Sequence, residues 1–221
     1  MLNIKDLQFQ YPESGFRLSL PEWSVPAGEP AALVGPSGSG KTTLLSLIAG
    51  ILTPASGQIE ISGQALNQLS ETERRNLRIS RCGLIFQSFE LIPYLNVVEN
   101  IQLPYYLNPV LDRTSEVEIR AYQLAEKLGL SSYLNSRVTS LSVGEQQRLA
   151  VCRALITQPD VILADEPTAS LDQANVERVM NILLEYTRER NALFIMSTHD
   201  PRLFEQFEHR LDFASLLSTS A

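Results

Sequence analysis

Long apolar runs are missing from this chain of 221 residues. The longest candidate, Leu44 to Leu52, is interrupted by Ser46 and Gly50, whereas a helix that crosses a bilayer needs about 20 apolar residues. The first residues, MLNIKDLQFQYP, also lack the apolar segment and cleavage site of a secretory signal. We therefore expect a cytoplasmic protein that does not cross a membrane by itself.

Cysteine and positive charge are scarce as well. Cys82 and Cys152 are the two cysteines and show neither CxxC nor metal-ligand spacing, which is typical of reduced structural thiols. The 18 basic residues are outnumbered by 25 acidic ones, giving a net charge of −7. This balance argues against the broad basic surface that nucleic acids require, so no nucleic-acid partner is expected.

Two kinds of apolar pattern predict two kinds of strand. Alternation of apolar and polar residues favours antiparallel strands, and it occurs at 4–9, 17–20 and 58–63. Short continuous apolar runs are typical of buried parallel strands, and they occur at Cys82 to Phe86, Val161 to Ala164 and Leu193 to Met196.

A helical stretch lies between the first two apolar runs. Val117, Ala121 and Leu128 share one predicted helical face that Gly129 closes. Strands that alternate with helices imply a right-handed α/β core. The predicted fold is thus one α/β domain over 1–221, with an N-terminal antiparallel β-subdomain and an inserted α-helical subdomain at about 88–158.

A glycine-rich loop carries the clearest chemical motif. GPSGSGKT fits the phosphate-binding loop (P-loop) pattern GxxxxGK[ST] between a predicted strand and a predicted helix. The glycines let backbone N–H groups surround phosphates, the lysine reaches the β- and γ-phosphates, and the threonine hydroxyl binds Mg²⁺. The residues predicted to bind ATP here are Gly35, Pro36, Ser37, Gly38, Ser39, Gly40, Lys41, Thr42 and Thr43.

Two carboxylates follow the apolar run at Val161. Asp165 and Glu166 would by themselves fit the polar end of a buried strand. Beside a P-loop they acquire separate roles, because one carboxylate helps to hold Mg²⁺ and the other polarises water for attack on the γ-phosphate. We assign the first role to Asp165 and the second to Glu166. Up to this point the motifs indicate a P-loop NTPase.

A further motif at 141–148, LSVGEQQR, resembles the LSGGQ signature of the ABC-type ATPases. The remaining pieces of that family's pattern follow in its order, namely Gln87 in IFQSFELIP, the two carboxylates, Asp172 after Pro167-Thr168, and His199 in MSTHD. The resemblance extends from Tyr11 to His199. It implies a P-loop core of the RecA-like kind.

The resemblance also implies roles for individual residues. Tyr11 would stack on adenine, Gln87 would sense Mg²⁺ and the attacking water, and His199 would contact the γ-phosphate. Ser142 and Gly144 would bind the γ-phosphate held by a second subunit, because they begin a helix whose N–H groups attract anions. Asp172 is assigned to the nucleotide site as well.

The chain departs from the family's pattern at three positions. Val143 replaces a signature glycine, and its β-branched side chain disfavours positive φ while leaving the backbone N–H in place. Glu145 replaces the usual glutamine and brings a carboxylate near the shared site. Ser170 stands where many members carry alanine.

As a whole, the resemblance implies an ATPase that binds ATP and Mg²⁺, pairs with a second ATPase subunit as a homodimer, and drives a separate transmembrane permease from the cytoplasmic face of the membrane. SFELIPYLNVVENIQLP and LSVGEQQ resemble the lipoprotein-release, macrolide-export and cell-division subfamily. Open alternatives are the ATPase of a polar amino-acid importer and an ABC ATPase of DNA repair or translation. A P-loop kinase would need neither the signature nor His199.

Overall fold

The computed structural model describes residues 1–13, 15–169 and 171–218. Ser170, one of the departures noted above, lies outside the described residues. The strands are β1 Leu2–Gln10, β2 Arg17–Val25, β3 Pro30–Val34, β4 Ser56–Ile61, β5 Gln64–Ala65, β6 Cys82–Ile85, β7 Val161–Asp165, β8 Leu193–Thr198 and β9 His209–Asp212. The α-helices are α1 Lys41–Ile48, α2 Glu71–Arg81, α3 Val97–Leu107, α4 Ser115–Lys127, α5 Val143–Leu155, α6 Gln173–Arg190 and α7 Phe213–Ser218.

The strands with alternating patterns form the expected antiparallel sheet. Its order is β2-β1-β4-β5, and β1 pairs with both β2 and β4 in antiparallel register. The pairing of β1 with β4 is irregular between Lys5 and Gln8, where Asp6 adopts a φ of 49°. One face of this sheet packs onto the rest of the molecule, which explains why its apolar residues recur at every second position.

The apolar runs form a parallel sheet in the order β6-β7-β8-β3-β9. All six residues of β8 are buried, as expected for a strand covered on both faces. The edge strand β9 was not expected, because its sequence, HRLD, contains no apolar run. Its residues alternate between half-buried and exposed positions in the structure. Apart from this edge strand and the short β5, the sequence patterns predicted the strands of both sheets.

The parallel sheet separates two apolar cores. On one face, Ala32 and Val34 of β3 pack with the helices α3, α4, α5 and α6. On the other face, Ala31 and Leu33 pack with α1 and the antiparallel sheet. Successive side chains of a strand point to opposite faces, so β3 contributes to both cores. The P-loop follows this strand and is therefore anchored between them.

Three α-helices, α3, α4 and α5, lie between β6 and β7, within the predicted insertion at 88–158. The predicted face of α4 is buried at Val117, Ala121 and Leu128, and Gly129 ends the helix with a φ of 68°. Helix α2 was not expected, although Ser70 and Glu73 form a complete capping box at its start. In the described part of the chain no helix is both long and apolar enough to span a membrane.

Candidate nucleotide site

The P-loop joins β3 to α1 and depends on glycine for its shape. Gly38 has a φ of 77° and Gly40 a φ of 109°, a region that residues with a Cβ rarely adopt. A Cβ on Gly40 would also lie 2.5 Å from Phe16 Cζ. The loop can therefore pass close to the aromatic ring while the first N–H groups of α1 stay available to an anion.

Lys41 lies at the start of α1 and is only 6% exposed. Its Nζ donates hydrogen bonds of 2.9 Å to the carbonyl oxygens of Gly35 and Pro36. An ammonium group has three N–H donors, so one donor is left for a phosphate oxygen. The loop thereby holds a buried positive charge at the place where a phosphate would bind.

Asp165 ends β7 and is fixed by two hydroxyl groups. The Thr42 hydroxyl donates to Asp165 Oδ2 over 2.7 Å, and the Ser197 hydroxyl donates to Asp165 Oδ1. Thr42 and Asp165 were predicted, whereas Ser197 was not assigned any role. Its position two residues before His199, in a strand next to β7, is the signal that could have identified it.

Glu166 directly follows β7 and has a left-handed backbone with a φ of 49°. Its N–H donates to the Ser197 carbonyl and hydroxyl oxygens at 3.2 and 3.0 Å. Its carboxylate is 13% exposed and lies 3.0 Å from His199 Nδ1. These contacts hold a nearly buried carboxylate at the mouth of the site, next to an imidazole that is 62% exposed.

Most of the predicted nucleotide-binding residues line one cavity of about 450 Å³. It is bounded by Tyr11, Phe16, Gln87, Asp165, Glu166 and P-loop residues including Lys41 and Thr42. A second cavity of about 300 Å³ contains Glu166, His199 and Arg202, so Glu166 borders both. The Tyr11 hydroxyl lies 3.3 Å from Thr43 Oγ1, and the ring contacts Phe9 edge to face. Phe16 had no signal in the sequence pattern.

The side chains beside the P-loop suit Mg²⁺. Thr42 and Asp165 place two oxygen ligands 2.7 Å apart, and the Gln87 amide lines the same cavity. Mg²⁺ prefers a few protein oxygens together with phosphates and waters. Among the described residues no group of three or more His, Cys, Asp or Glu could hold a metal alone. The donor set therefore fits an ion that shares its coordination with a nucleotide.

The signature residues lie elsewhere on the surface. Ser142 caps α5, and its hydroxyl donates to Glu145 Oε2 over 2.7 Å. Hydrogen bonds from Ser142 lower the pKa of the Glu145 carboxyl group. Asp172 caps α6 and accepts from the Asn175 N–H at 2.9 Å. Ser142, Gly144 and Asp172 are absent from the lining of both cavities. A single chain thus does not bring them to its own P-loop.

Comparison with known proteins identifies the family. The model of the ABC transporter family matches residues 18–169, more than half of the chain. The chain belongs to the ABC transporter family. Two curated relatives are ABC transporter ATP-binding proteins, YbbA of Escherichia coli and YtrE of Bacillus subtilis. YbbA is 43% identical, with 82% of this chain and 79% of YbbA covered, and YtrE is 41% identical, with 80% and 76% covered.

Solved structures show the same fold. The ATP-binding cassette MJ0796, determined as a dimer in a post-hydrolysis state with ADP and phosphate, superposes with a TM-score of 0.87 at 31% identity, over 96% of this chain and 94% of that one. The α/β architecture with one antiparallel and one parallel sheet is thus that of the ABC cassettes. The predicted fold is confirmed.

The signature helix of this ABC cassette accommodates Val143 and makes two contacts that the sequence did not predict. Val143 occupies the first helical position, 53% exposed and without positive φ, so a β-branched residue is accommodated there. Gln147 donates to the Pro167 carbonyl and Arg148 to Asn175 Oδ1. Both residues belong to the 141–148 motif, but their contacts depend on tertiary structure, and the sequence assigned them no role.

Proposed function

We propose that this chain hydrolyses ATP to ADP and phosphate. The observation that carries the proposal is that Glu166 borders the same cavity as the P-loop residues Lys41 and Thr42. A general base must be within reach of the attacking water, and a carboxylate held at the mouth of the cavity satisfies this requirement. The ATP-binding role of the relatives and the ADP and phosphate bound to MJ0796 support the same reaction.

In this proposal each residue has one task. The Lys41 ammonium and the N–H groups of the P-loop neutralise and orient the phosphates. Glu166 accepts the proton of the water as its oxygen bonds to the γ-phosphorus and the bond to the β,γ-bridging oxygen breaks. His199 contacts the γ-phosphate, and Tyr11 stacks on adenine. Thr42, Asp165 and Gln87 would hold Mg²⁺, which supplies charge neutralisation when it is bound.

We further propose that the working form is a head-to-tail homodimer with two ATP molecules at its interface. Ser142 is exposed, and neither Ser142 nor Gly144 lines the cavity beside the P-loop of the same chain. A second copy that placed Ser142 and Gly144 on the γ-phosphate would complete each site. The dimeric structures of MJ0796 support this arrangement.

The partner of the dimer is proposed to be a transmembrane permease of the lipoprotein-release, macrolide-export or cell-division type. The support is the sequence resemblance at 88–104 and in the signature, together with the ABC transporter relatives. The ATPase would then sit on the cytoplasmic face of the membrane. The assignment of 1–221 to a single ABC ATPase domain, with 88–158 as its helical subdomain, stays a prediction.

A groove of about 360 Å³ next to the loop after β6 is the proposed docking place for the permease. Leu84, Leu107 and three arginines, Arg75, Arg78 and Arg153, line it. Leu107 is 66% exposed and Tyr94, in the neighbouring loop, is 78% exposed. The guanidinium groups of Arg78 and Arg153 donate to backbone carbonyls of this chain, which leaves Arg75 for a partner. Exposed apolar side chains beside this guanidinium group suit an amphipathic segment with a carboxylate.

The Glu166→Gln variant tests the ATPase proposal. The amide keeps the shape of the carboxylate but cannot accept the proton, so the variant should bind ATP, lose nearly all turnover and accumulate as a nucleotide-bound dimer. Phosphate release measures turnover, and light scattering with and without ATP measures the dimer. Turnover close to that of the unchanged protein would remove Glu166 from its role.

A further inference from the structure

Helix α5 ends against the loop that carries Gln87. Arg153, in its last turn, donates from Nη2 to the Phe89 carbonyl over 2.5 Å and from Nη1 to the Glu90 carbonyl. Burial lowers the pKa of this guanidinium, and among the described residues Arg153 forms no ion pair. The guanidinium is therefore committed to two backbone carbonyls.

Those two carbonyls belong to strained residues. Phe89 has a φ of 62° and Glu90 a φ of 48°, and two consecutive residues with a Cβ in the left-handed region are unfavourable. The turn is narrow, since the Phe89 N–H donates to Phe86 O and the Glu90 N–H to Ser88 O. Such a conformation persists only where its surroundings stabilise it, and the forked contact of Arg153 does so.

The strained turn begins two residues after Gln87, which lines the nucleotide cavity. We propose that Arg153 is a positioning residue, which holds 89–90 in the left-handed conformation and thereby directs Gln87 towards the nucleotide. The inference rests on the role proposed above for Gln87. Since α5 begins at the Ser142 cap and is about 20 Å long, the same rigid helix joins the shared-site residue to this turn.

Replacing Arg153 by lysine tests the inference. Lysine keeps the charge but lacks the planar fork that reaches both carbonyls. We expect kcat to fall about tenfold with KM for ATP changed less than about twofold. Hydrogen exchange of the amides at 88–91 should become faster in the protein without nucleotide. A purely structural role would lower the unfolding temperature without this local and kinetic signature.

The two substitutions Glu90→Gly and Glu90→Ala provide the matched control. Both substitutions remove the carboxylate that accepts from the Ser88 hydroxyl, but only glycine adopts positive φ without strain. In the Arg153→Lys background, Glu90→Gly should restore most of kcat and Glu90→Ala should not. Should Arg153→Lys fail to fold, Glu90→Val in the unchanged background should show the same loss of kcat, because a β-branched residue resists positive φ at this exposed position.

The Gln87→Ala variant distinguishes the role proposed for Gln87 from the positioning role proposed for Arg153. If Gln87→Ala loses turnover but Arg153→Lys leaves kcat and amide exchange unchanged, the positioning role of Arg153 is overturned. The role proposed for Gln87 then stands. Equal recovery by glycine and alanine at position 90 overturns the positioning role as well. Unchanged turnover in Gln87→Ala overturns the role proposed for Gln87 itself.

Discussion

His199 Nδ1 lies 3.0 Å from a carboxylate oxygen of Glu166, and the two residues follow neighbouring strands of the parallel sheet. The carboxyl ends of such strands meet at one edge, which is where ligands bind in α/β proteins. An exposed imidazole beside a nearly buried carboxylate can orient that carboxylate and still reach a ligand. The pair therefore suits a position next to the reacting phosphate.

The first prediction concerns this imidazole. We expect His199→Ala to reduce kcat for ATP about 100-fold, because both the γ-phosphate contact and the orientation of Glu166 are lost. Phosphate release at saturating ATP measures the effect. His209→Ala is the matched control, since this second histidine lies on β9, pairs with Glu29 and does not line the cavity. Turnover unaffected by the loss of His199 would exclude it from the site.

A second prediction separates binding from turnover. Lys41→Ala should lower ATP affinity by about 1.5–3 kcal/mol, because a charge-assisted hydrogen bond to phosphate is removed. Calorimetric titration with ATP measures the affinity. Lys127→Ala, at the exposed end of α4, should bind ATP as the unchanged protein does. An unchanged affinity in Lys41→Ala would place the phosphates elsewhere.

Stability of the loop after β6 depends on one buried amide. Asn100 is fully buried, accepts from the Ile92 N–H, and donates to the carbonyls of Ile92, Leu95 and Asn96. Asn100→Leu keeps the size but leaves these groups unpaired, so we expect a loss of about 3 kcal/mol in the free energy of unfolding. Urea unfolding measures it, with exposed Asn181→Leu as control. Equal urea midpoints for Asn100→Leu and the unchanged protein would contradict a stabilising role of the Asn100 amide.

The docking surface gives a fourth prediction. Tyr94→Asp should weaken binding of the permease about tenfold or more and leave basal ATPase unchanged, because Tyr94 is exposed in the loop after β6. Pull-down of the detergent-solubilised permease measures binding. Tyr122→Asp, 44% exposed on α4, is the control. Undiminished binding by Tyr94→Asp would exclude this residue from the interface.

Leu91 lies in the same loop as Tyr94. Its apolar side chain is compatible with either docking or core packing when only the sequence is considered. It packs against the larger core, so Leu91→Asp should lower the unfolding temperature and is unsuited to a docking test. Tyr94, three residues later, is 78% exposed and is the side chain of this loop that we propose for contact with the partner.

The sequence predicts those features that depend on local pattern. The P-loop, the carboxylates after β7 and the main strands all follow from short motifs and periodicity. Phe16 and Arg153 could not be predicted in this way, because their contacts join segments far apart in the chain. The left-handed turn at 89–90 has no glycine to indicate it. Helix α2 has a capping signal in Ser70 and Glu73. It was missed because its mostly polar sequence shows no helical repeat of apolar residues.

Two chains are proposed to share each ATPase site, and mixing two inactive variants tests this sharing most directly. Lys41→Ala lacks the P-loop charge and Ser142→Arg blocks the start of α5, so each protein alone should be inactive. A mixed dimer contains one intact site, made from Lys41 of one chain and Ser142 of the other. We expect mixing to restore part of the phosphate release. Isolated mixed dimers with no turnover would contradict it.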